Sequence, residues 1–419
     1  MINIIDKSKC TGCGACNQIC PKSCIEMKAD QEGFLYPVVS EENCIGCGRC
    51  DRVCPVLNTS FVPKDGFPDA YLVYDKDTEW HKRSAAGGGF AAVARSFIEQ
   101  YNGFVFGAVY DDNHNVYHKM ADSVDGIKAI QKSKYVQSET RNTFKQVKEL
   151  LIQGEYVLYS GTPCQIYGLK SYLQKAADDE KLFCVDLSCH GVPSPKVFHM
   201  YLDYLCRSEN SQIVDFTMRD KRYGKNHYKQ GFGIVFENGR TQFNSHRDDY
   251  FGRCFWGEIS SRPSCYDCHF KTVWRSSDIT LGDCWFFNSF VPSEQDNMGV
   301  TLALAHSAKG RKLIENSEHL CRYAVPSEEL IKVNGGMIYK SAAAHPKRQE
   351  FFERLDCESF ESVVDSMLPH KPVNLKNRLL DVLGCMGIRL EKMRKKSREQ
   401  RINLLLSNTI PDNALGEMK

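Results

Sequence analysis

Nine of the chain's 20 cysteines fall within residues 1–54. Eight of these form two runs of one spacing, Cys10-x2-Cys13-x2-Cys16-x3-Cys20-Pro21 and Cys44-x2-Cys47-x2-Cys50-x3-Cys54-Pro55. Three cysteines at two-residue gaps on a tight loop can face three corners of one iron–sulfur cube. Gly12, Gly14, Gly46 and Gly48 let backbone amides approach the sulfurs, and Pro21 and Pro55 turn the chain away after each fourth cysteine. Zinc sites use separated Cys-x2-Cys pairs or cysteine–histidine mixtures, so two triplets each followed by Cys-Pro point to iron and sulfide. Cys24 has no place in the pattern and reads as a small buried residue beside a cluster.

The repeat resembles the bacterial two-cluster ferredoxin, in which the fourth cysteine of each run serves the other cluster. The resemblance implies one 4Fe-4S cluster on Cys10, Cys13, Cys16 and Cys54, and a second on Cys44, Cys47, Cys50 and Cys20. The segment between the two runs, with Gly33–Val39 in it, reads as a short strand pair. Such a domain, residues 1–57, has little apolar core of its own, so its clusters must hold it together. Its charge is near balance, with six Lys/Arg against seven Asp/Glu.

Further chemistry-bearing residues sit at the ends of candidate strands. Ser84 and the turn Gly87-Gly88-Gly89 precede a helix, which makes either an anion site at a helix N-terminus or a plain entry turn. Ser160-Gly161-Thr162-Pro163-Cys164-Gln165 and Ser188-Cys189-His190-Gly191 each follow a strand, where α/β proteins bind ligands. Cys265 and Cys268 form a separate Cys-x2-Cys pair. Lys134, Arg219 and Lys221 could neutralise flavin phosphates or serve as solvated surface charge. His190 is either a neighbour that tunes a cluster or relays protons, or a structurally hydrogen-bonded loop residue. His227, His246 and His269 have no ligand spacing. Cys184, Cys206, Cys254, Cys321, Cys357 and Cys385 stand singly and read as core or neutral thiols.

Taken together, Ser133-Lys134-Tyr135-Val136-Gln137-Ser138, the Ser160–Gln165 loop, Cys189–Ser194, Arg219-Asp220-Lys221, Arg262–Cys268 and Asp278–Asp283 resemble the beta subunit of coenzyme F420 hydrogenases and dehydrogenases. The resemblance covers residues 70–310. That family is similar in fold and chemistry to a plant chlorophyll-modifying reductase, and many members carry a two-cluster ferredoxin domain in front. The resemblance implies an FAD site built from Ser84, Gly87, Gly88, Gly89, Lys134, Tyr135, Gln137, Ser160, Gly161 and Thr162. It also implies a third 4Fe-4S cluster on Cys164, Cys189, Cys265 and Cys268. The chain departs from the family where Ala85, Ala86 and Ala91 replace hydroxyl residues around the glycine turn, and where Cys284 replaces an aromatic before Trp285.

The elements that must position these residues alternate along the chain. Candidate strands are 71–74, 104–110, 156–160, 182–187, 213–218, 234–237 and 300–306, and candidate helices are 89–100, 141–153, 165–176 and 195–206. Asn238-Gly239 between apolar runs is a hairpin signal. The expected fold is α+β: a small ferredoxin-like two-cluster domain, a linker over 58–69, an α/β flavoprotein domain with a mixed sheet over 70–368, and a C-terminal helical tail over 369–419. In the tail, residues 371–401 carry ten Lys/Arg against three Asp/Glu. Leu379, Leu383, Met386, Leu390 and Met393 form an amphipathic stripe for a partner, an anionic membrane surface or the chain's own main domain. Residues 407–419 read as disordered.

The 419 residues suit two or three domains. A hydrophobic fraction of 42% and charged fraction of 25% are ordinary for a soluble protein, and no apolar run approaches a membrane span. A net charge of +2 argues against a nucleic-acid binder. A secreted disulfide scaffold would be short and evenly rich in cysteine, so the expected setting is cytoplasmic. Two functions follow. The first is an FAD-dependent iron–sulfur oxidoreductase passing electrons to a redox protein or a small-molecule hydride carrier (a deazaflavin, a nicotinamide or a specific metabolite), as a homo-oligomer or a member of a larger complex. The second is a non-catalytic polyferredoxin-type relay and docking module. No Walker motif or dinucleotide GxGxxG fingerprint is present.

Overall fold

A computed structural model describes residues 1–58, 65–222, 230–287, 290, 298–334, 336–370, 400, 402–407 and 410. The front end is built on a hairpin of β1 (Ile25–Ala29) and β2 (Leu35–Val39), with Gly33 in the turn at φ +85°. This hairpin is the strand pair expected between the two cysteine runs. Pro37 is accommodated because this is a two-stranded ribbon with only edges.

The main body is an eight-stranded mixed sheet. Its strands are β3 (Asp69–Asp75), β4 (Phe104–Tyr110), β5 (Val116–Ala121), β6 (Val157–Gly161), β7 (Leu182–Leu187), β11 (Ile279–Asp283), β12 (Thr301–Ala305) and β13 (Leu320–Val325), in the order β13-β3-β12-β11-β7-β6-β4-β5. The four central strands β11, β7, β6 and β4 are parallel, and the pairs outside them are antiparallel. Helices after β6 and β7 supply the crossovers that parallel neighbours need. A second, antiparallel sheet holds β8 (Ile213–Asp220), β9 (Gly231–Phe236) and β10 (Thr241–Ser245), closed by the Asn238-Gly239 turn.

β5, β11 and β13 lie outside the expected strand set. β5 and β13 carry charged or polar residues on an exposed edge, and β11 is a short run ending in Gly282-Asp283. Of the segment expected as a linker, residues 59–64 lie outside the described residues, and Asp69 already opens β3. The amphipathic stripe of the tail and Cys385 also lie outside the described residues, as does His227.

The front end shares its packing with the main body. Phe34 and Tyr36 join a core with the helix Pro195–Glu209 and with β8 and β9. Cys13, Ala15 and Val53 join another with Phe106, Phe144 and the helix Pro163–Leu173. Only Ile2, Cys24, Ile25 and Cys50 make a buried cluster internal to the front end. Among the described residues, no helix is long and apolar enough to cross a membrane.

Candidate functional site

The eight front-end cysteines separate into two sets. Cys10, Cys13, Cys16 and Cys54 line one solvent-open pocket with about 350 Å³ of empty space. Cys20, Cys44, Cys47 and Cys50 line a second of about 370 Å³, together with Met1 and Cys24. Each pocket thus takes three cysteines from one run and the fourth from the other. The two sets adjoin, since the Cys16 thiol, pushed up to about 12 chiefly by burial, also feels the charge of Cys50. Cys24 Sγ stands 3.4 Å from Cys20 Sγ, and the Ile2 amide donates to Cys50 Sγ at 3.3 Å.

Cys164, Cys189, Cys265 and Cys268 are also brought together, from three separate segments. Cys164 occupies the first turn of the helix Pro163–Leu173, which begins with a Thr162/Gln165 capping box and a proline. A cysteine there is favoured as thiolate by the helix dipole. Cys189 follows β7. Its loop is clamped to the Cys265 turn by the Arg262 amide donating to Val192 O (3.0 Å) and the Ser194 amide donating to Ser260 O (2.9 Å). Burial raises all four thiols, and the Cys265 thiol additionally feels Cys189, Cys268 and Cys164.

The surroundings of this third set fit an anionic group rich in acceptors. Lys271 is buried and donates only to the carbonyls of His190 (3.2 Å) and Lys340 (3.0 Å), with no carboxylate partner among the described residues. Ser188 Oγ, Ser261 Oγ, Ser264 Oγ and His269 Nε2 are buried atoms with no hydrogen-bond partner among the described residues. Each belongs to a residue adjoining one of the cysteines or, for Ser261, standing 3.3 Å from where a Cβ on Gly191 would lie. A buried unpaired charge or donor is costly, and the sulfides of a cluster bound by four thiolates would satisfy both. Among the described residues, no group of three or more histidine, cysteine, aspartate or glutamate side chains is arranged to hold a metal ion.

The first and third sets meet at a residue that neither spacing nor pattern singled out. A Cβ on Gly168 would lie 2.9 Å from Cys13 Sγ, so only glycine lets this helix pass the first set one turn after Cys164. Cys13 is accordingly among the charges that Cys164 feels. Gly168→Val is expected to cost about 1–3 kcal/mol as overpacking and to lower the iron held by the first set, read by iron analysis and thermal melting. Full loading at an unchanged melting temperature would exclude this close approach. Gly12 is a second such position: at φ +68°, a Cβ there would lie 2.4 Å from Gln137 Nε2.

The other expected site residues gather along the carboxyl ends of β6, β7 and β11, but many of their side chains are engaged within the chain. Ser84 Oγ donates to Trp80 O (2.8 Å), and the Gly87 amide donates to Thr301 Oγ1 (2.9 Å). The turn Gly87–Gly89 packs against β3 and β12, with no room for a Cβ at Gly87. Lys134 Nζ donates to the carbonyls of Ala129, Ile130 and Gln131, closing the end of a short helix, and burial brings its ammonium down to about 7. Gln137 accepts from Arg262 and donates to Thr11 O, so it belongs to the junction with the front end. Ser160 Oγ donates to Phe106 O, and the backbone amide of Thr162 donates to Gln165 Oε1 within the capping box. Lys221 donates to His81 O and Ala86 O, behind the glycine turn.

Open polar valence remains at this edge. Tyr135 Oη accepts from Arg219 Nη1 (2.8 Å), which also pairs with Asp283 (2.7 Å), while Arg219 Nη2 is buried and unpartnered among the described residues. His118, missed by the sequence reading because β5 was not expected, stacks on Tyr159 and points Nε2 at Ser160 O (3.0 Å). Burial holds its pKa near 4. It is therefore neutral at pH 7 with the proton on Nε2, which leaves Nδ1 a bare acceptor. The pair His190–Glu258 (2.5 Å) lies under Phe255 and Trp256 beside Cys189.

Residues 154–325 match the family model for the C-terminal part of the coenzyme F420 hydrogenase/dehydrogenase beta subunit, and residues 9–58 match that of the 4Fe-4S dicluster domain. The chain carries both domains. It is thus an iron–sulfur electron-transfer protein of the F420 hydrogenase beta-subunit type. The beta-subunit domain opens just ahead of β6, closes with β13 at Val325, and contains all four cysteines of the third set. No curated protein matches the chain. Among solved structures, a chain of the F420-reducing NiFe hydrogenase complex from Methanosarcina barkeri is similar at 15% identity and a TM-score of 0.43, covering 78% of this chain and 97% of that one.

Proposed function

We propose that the chain is a flavin-dependent iron–sulfur oxidoreductase in which three 4Fe-4S centres lead to an FAD at the carboxyl edge of the main sheet. The observation that carries this reading is the convergence of Cys164, Cys189, Cys265 and Cys268 beside Cys13, around orphaned donors and the unpaired Lys271. Bound clusters supply one-electron steps, and a flavin supplies their conversion to a hydride. Three stations in contact suit one-electron transfer between an outer partner and a buried edge.

The residues have separate tasks. Cys10, Cys13, Cys16 and Cys54 hold the middle centre, and Cys44, Cys47, Cys50 and Cys20 the outer one, with Cys47 exposed. Arg219, pinned by Tyr135 and Asp283, keeps one donor free for an anionic or carbonyl group of the flavin. Neutral His118 offers an acceptor on the same edge. Lys134, Gln137, Ser84 and the Thr162 side chain shape this pocket through the helix ends and turns that they fix. The hydride carrier outside is a small molecule, and the matched family is named for the deazaflavin coenzyme F420. A redox protein that docks at the outer centre is the partner on the other side, in a complex whose setting is cytoplasmic.

Flavin content tests this reading against a relay module without catalysis. Full-length protein prepared anaerobically should release about one FAD per chain on acid denaturation. Iron and sulfide without flavin, after reconstitution with FAD, would establish the relay module instead.

A further inference from the structure

Arg262 is the largest fully buried side chain among the described residues, and its guanidinium is held by neutral oxygens alone. Nε donates to Cys10 O (2.7 Å), Nη1 to Gln137 Oε1 (2.9 Å) and Nη2 to Leu35 O (3.0 Å). The ring of Tyr36 lies 4.1 Å away and that of Phe34 5.5 Å. No described carboxylate pairs with it. Asp30 and Glu32, which share the Tyr36 neighbourhood, instead hold Lys7 (2.5 Å) and Arg348 (2.5 Å).

A guanidinium removed from water needs a counter-charge, because the penalty for an uncompensated buried ion is several kcal/mol. The position of Arg262 shows where that charge can come from. Its side chain clasps the loop that carries Cys10 and Gly12, with Nη1 3.0 Å from where a Cβ on Gly12 would lie. Its own carbonyl accepts from the Cys265 amide (2.9 Å), and its amide donates to Val192 O (3.0 Å), three residues after Cys189. One residue therefore touches the ligand loops of the first and third sets at once, and no described contact joins it to the second. The thiolates and reduced clusters of those two sets are anions.

We propose that Arg262 is an electrostatic bridge between the first and third centres, its buried charge raising the reduction potential of both. The net charge around a cluster is one of the terms that set its potential, and in a site without bulk water that term is strong. A cation between two centres stabilises the added electron on either, which disfavours its return to the outer centre. This inference rests on the reading that the third set holds a cluster.

The test is a redox titration of the full-length, cluster-loaded protein followed by electron paramagnetic resonance, with iron and sulfide counted in each sample. In Arg262→Gln, the first and third centres should titrate at lower potential, with the reduced-to-oxidised ratio at the wild-type midpoint falling about tenfold, equivalent to about 59 mV for one electron. The second centre should stay in place. Arg262→Lys keeps the charge and should hold the ratio within a factor of about three. Unchanged midpoints in a fully loaded Arg262→Gln protein, or an equal shift of all three centres, would overturn the proposal. If Arg262→Gln does not load, Arg262→Lys decides: a tenfold shift there, with the charge retained, overturns the bridge and leaves Arg262 a packing residue. Wild-type protein with only about eight irons would instead remove the third cluster, while the shift of the first centre still reports on Arg262.

Discussion

Replacing Cys20 by serine in the full chain removes the second iron–sulfur centre and leaves the first intact. Iron falls by about four per chain, and the lost resonance belongs to the centre formed by Cys44, Cys47 and Cys50. Cys20 belongs by sequence to the first run, but its sulfur lines the pocket of the second. Against the opposing effect of burial, its thiol is held below the ordinary value by hydrogen bonds from Cys24, Lys22 and Ser23, which suits a ligating thiolate. Because Cys24 stands 3.4 Å away, the variant is made together with Cys24→Ala so that no second thiol can take its place. The reciprocal change, Cys54→Ser, removes the first centre, and with it the link between the outer and buried ones. Loss of the first centre on replacing Cys20 would contradict the crossed arrangement.

The second large effect is expected at Cys265. Cys265→Ser removes the third centre, again about four irons per chain, while FAD remains bound, because none of the groups assigned to the flavin is a cysteine. Reduction of the flavin from the front-end centres, followed by its visible absorption, should then fall to the rate seen in protein that holds flavin but has lost its clusters. The neighbouring Lys271 would keep its two carbonyl partners but lose its anionic neighbour, so a fall in melting temperature should accompany the loss. Flavin reduction at the wild-type rate would show that electrons bypass this set.

Much of the candidate site was legible in the sequence because cysteine spacing is a local code. Two identical runs announce two clusters, and the Cys-x2-Cys at Cys265 announces a loop able to bend around a bulky group. The alternation of strands and helices likewise revealed the parallel centre of the sheet, since β4, β6 and β7 are apolar runs separated by amphipathic helices. What escaped was information that exists only between distant segments. Gly168 lies within the expected helix 165–176, and its role depends on Cys13, 155 positions earlier, whose Sγ would stand 2.9 Å from a Cβ there. Arg262 opens the Arg262–Cys268 segment, but nothing local says that Cys10, Leu35 and Gln137 will enclose it. β5 and β13 escaped because edge strands carry polar residues and lack the hydrophobic pattern. Their loss concealed His118.

The side chains expected to hold flavin are placed differently from a free ligand shell. Lys134, Ser84, Gln137 and Thr162 lie in loops of a composition suited to ligands, yet each makes its hydrogen bonds within the protein. Loops at the ends of a parallel sheet must satisfy their own backbone before they can bind anything. Polar residues there serve the turn first, and the free valence falls to Arg219, Ser188 and His118, which stand on or beside strands.

The measurement that bears most directly on three centres is a joint count of iron, acid-labile sulfide and zinc in full-length protein prepared without oxygen, together with Mössbauer spectroscopy. Three clusters require about twelve irons and about twelve sulfides per chain, all in cubane-type signals, and no zinc. About eight irons with one zinc, and eight irons retained in Cys265→Ser, would contradict them.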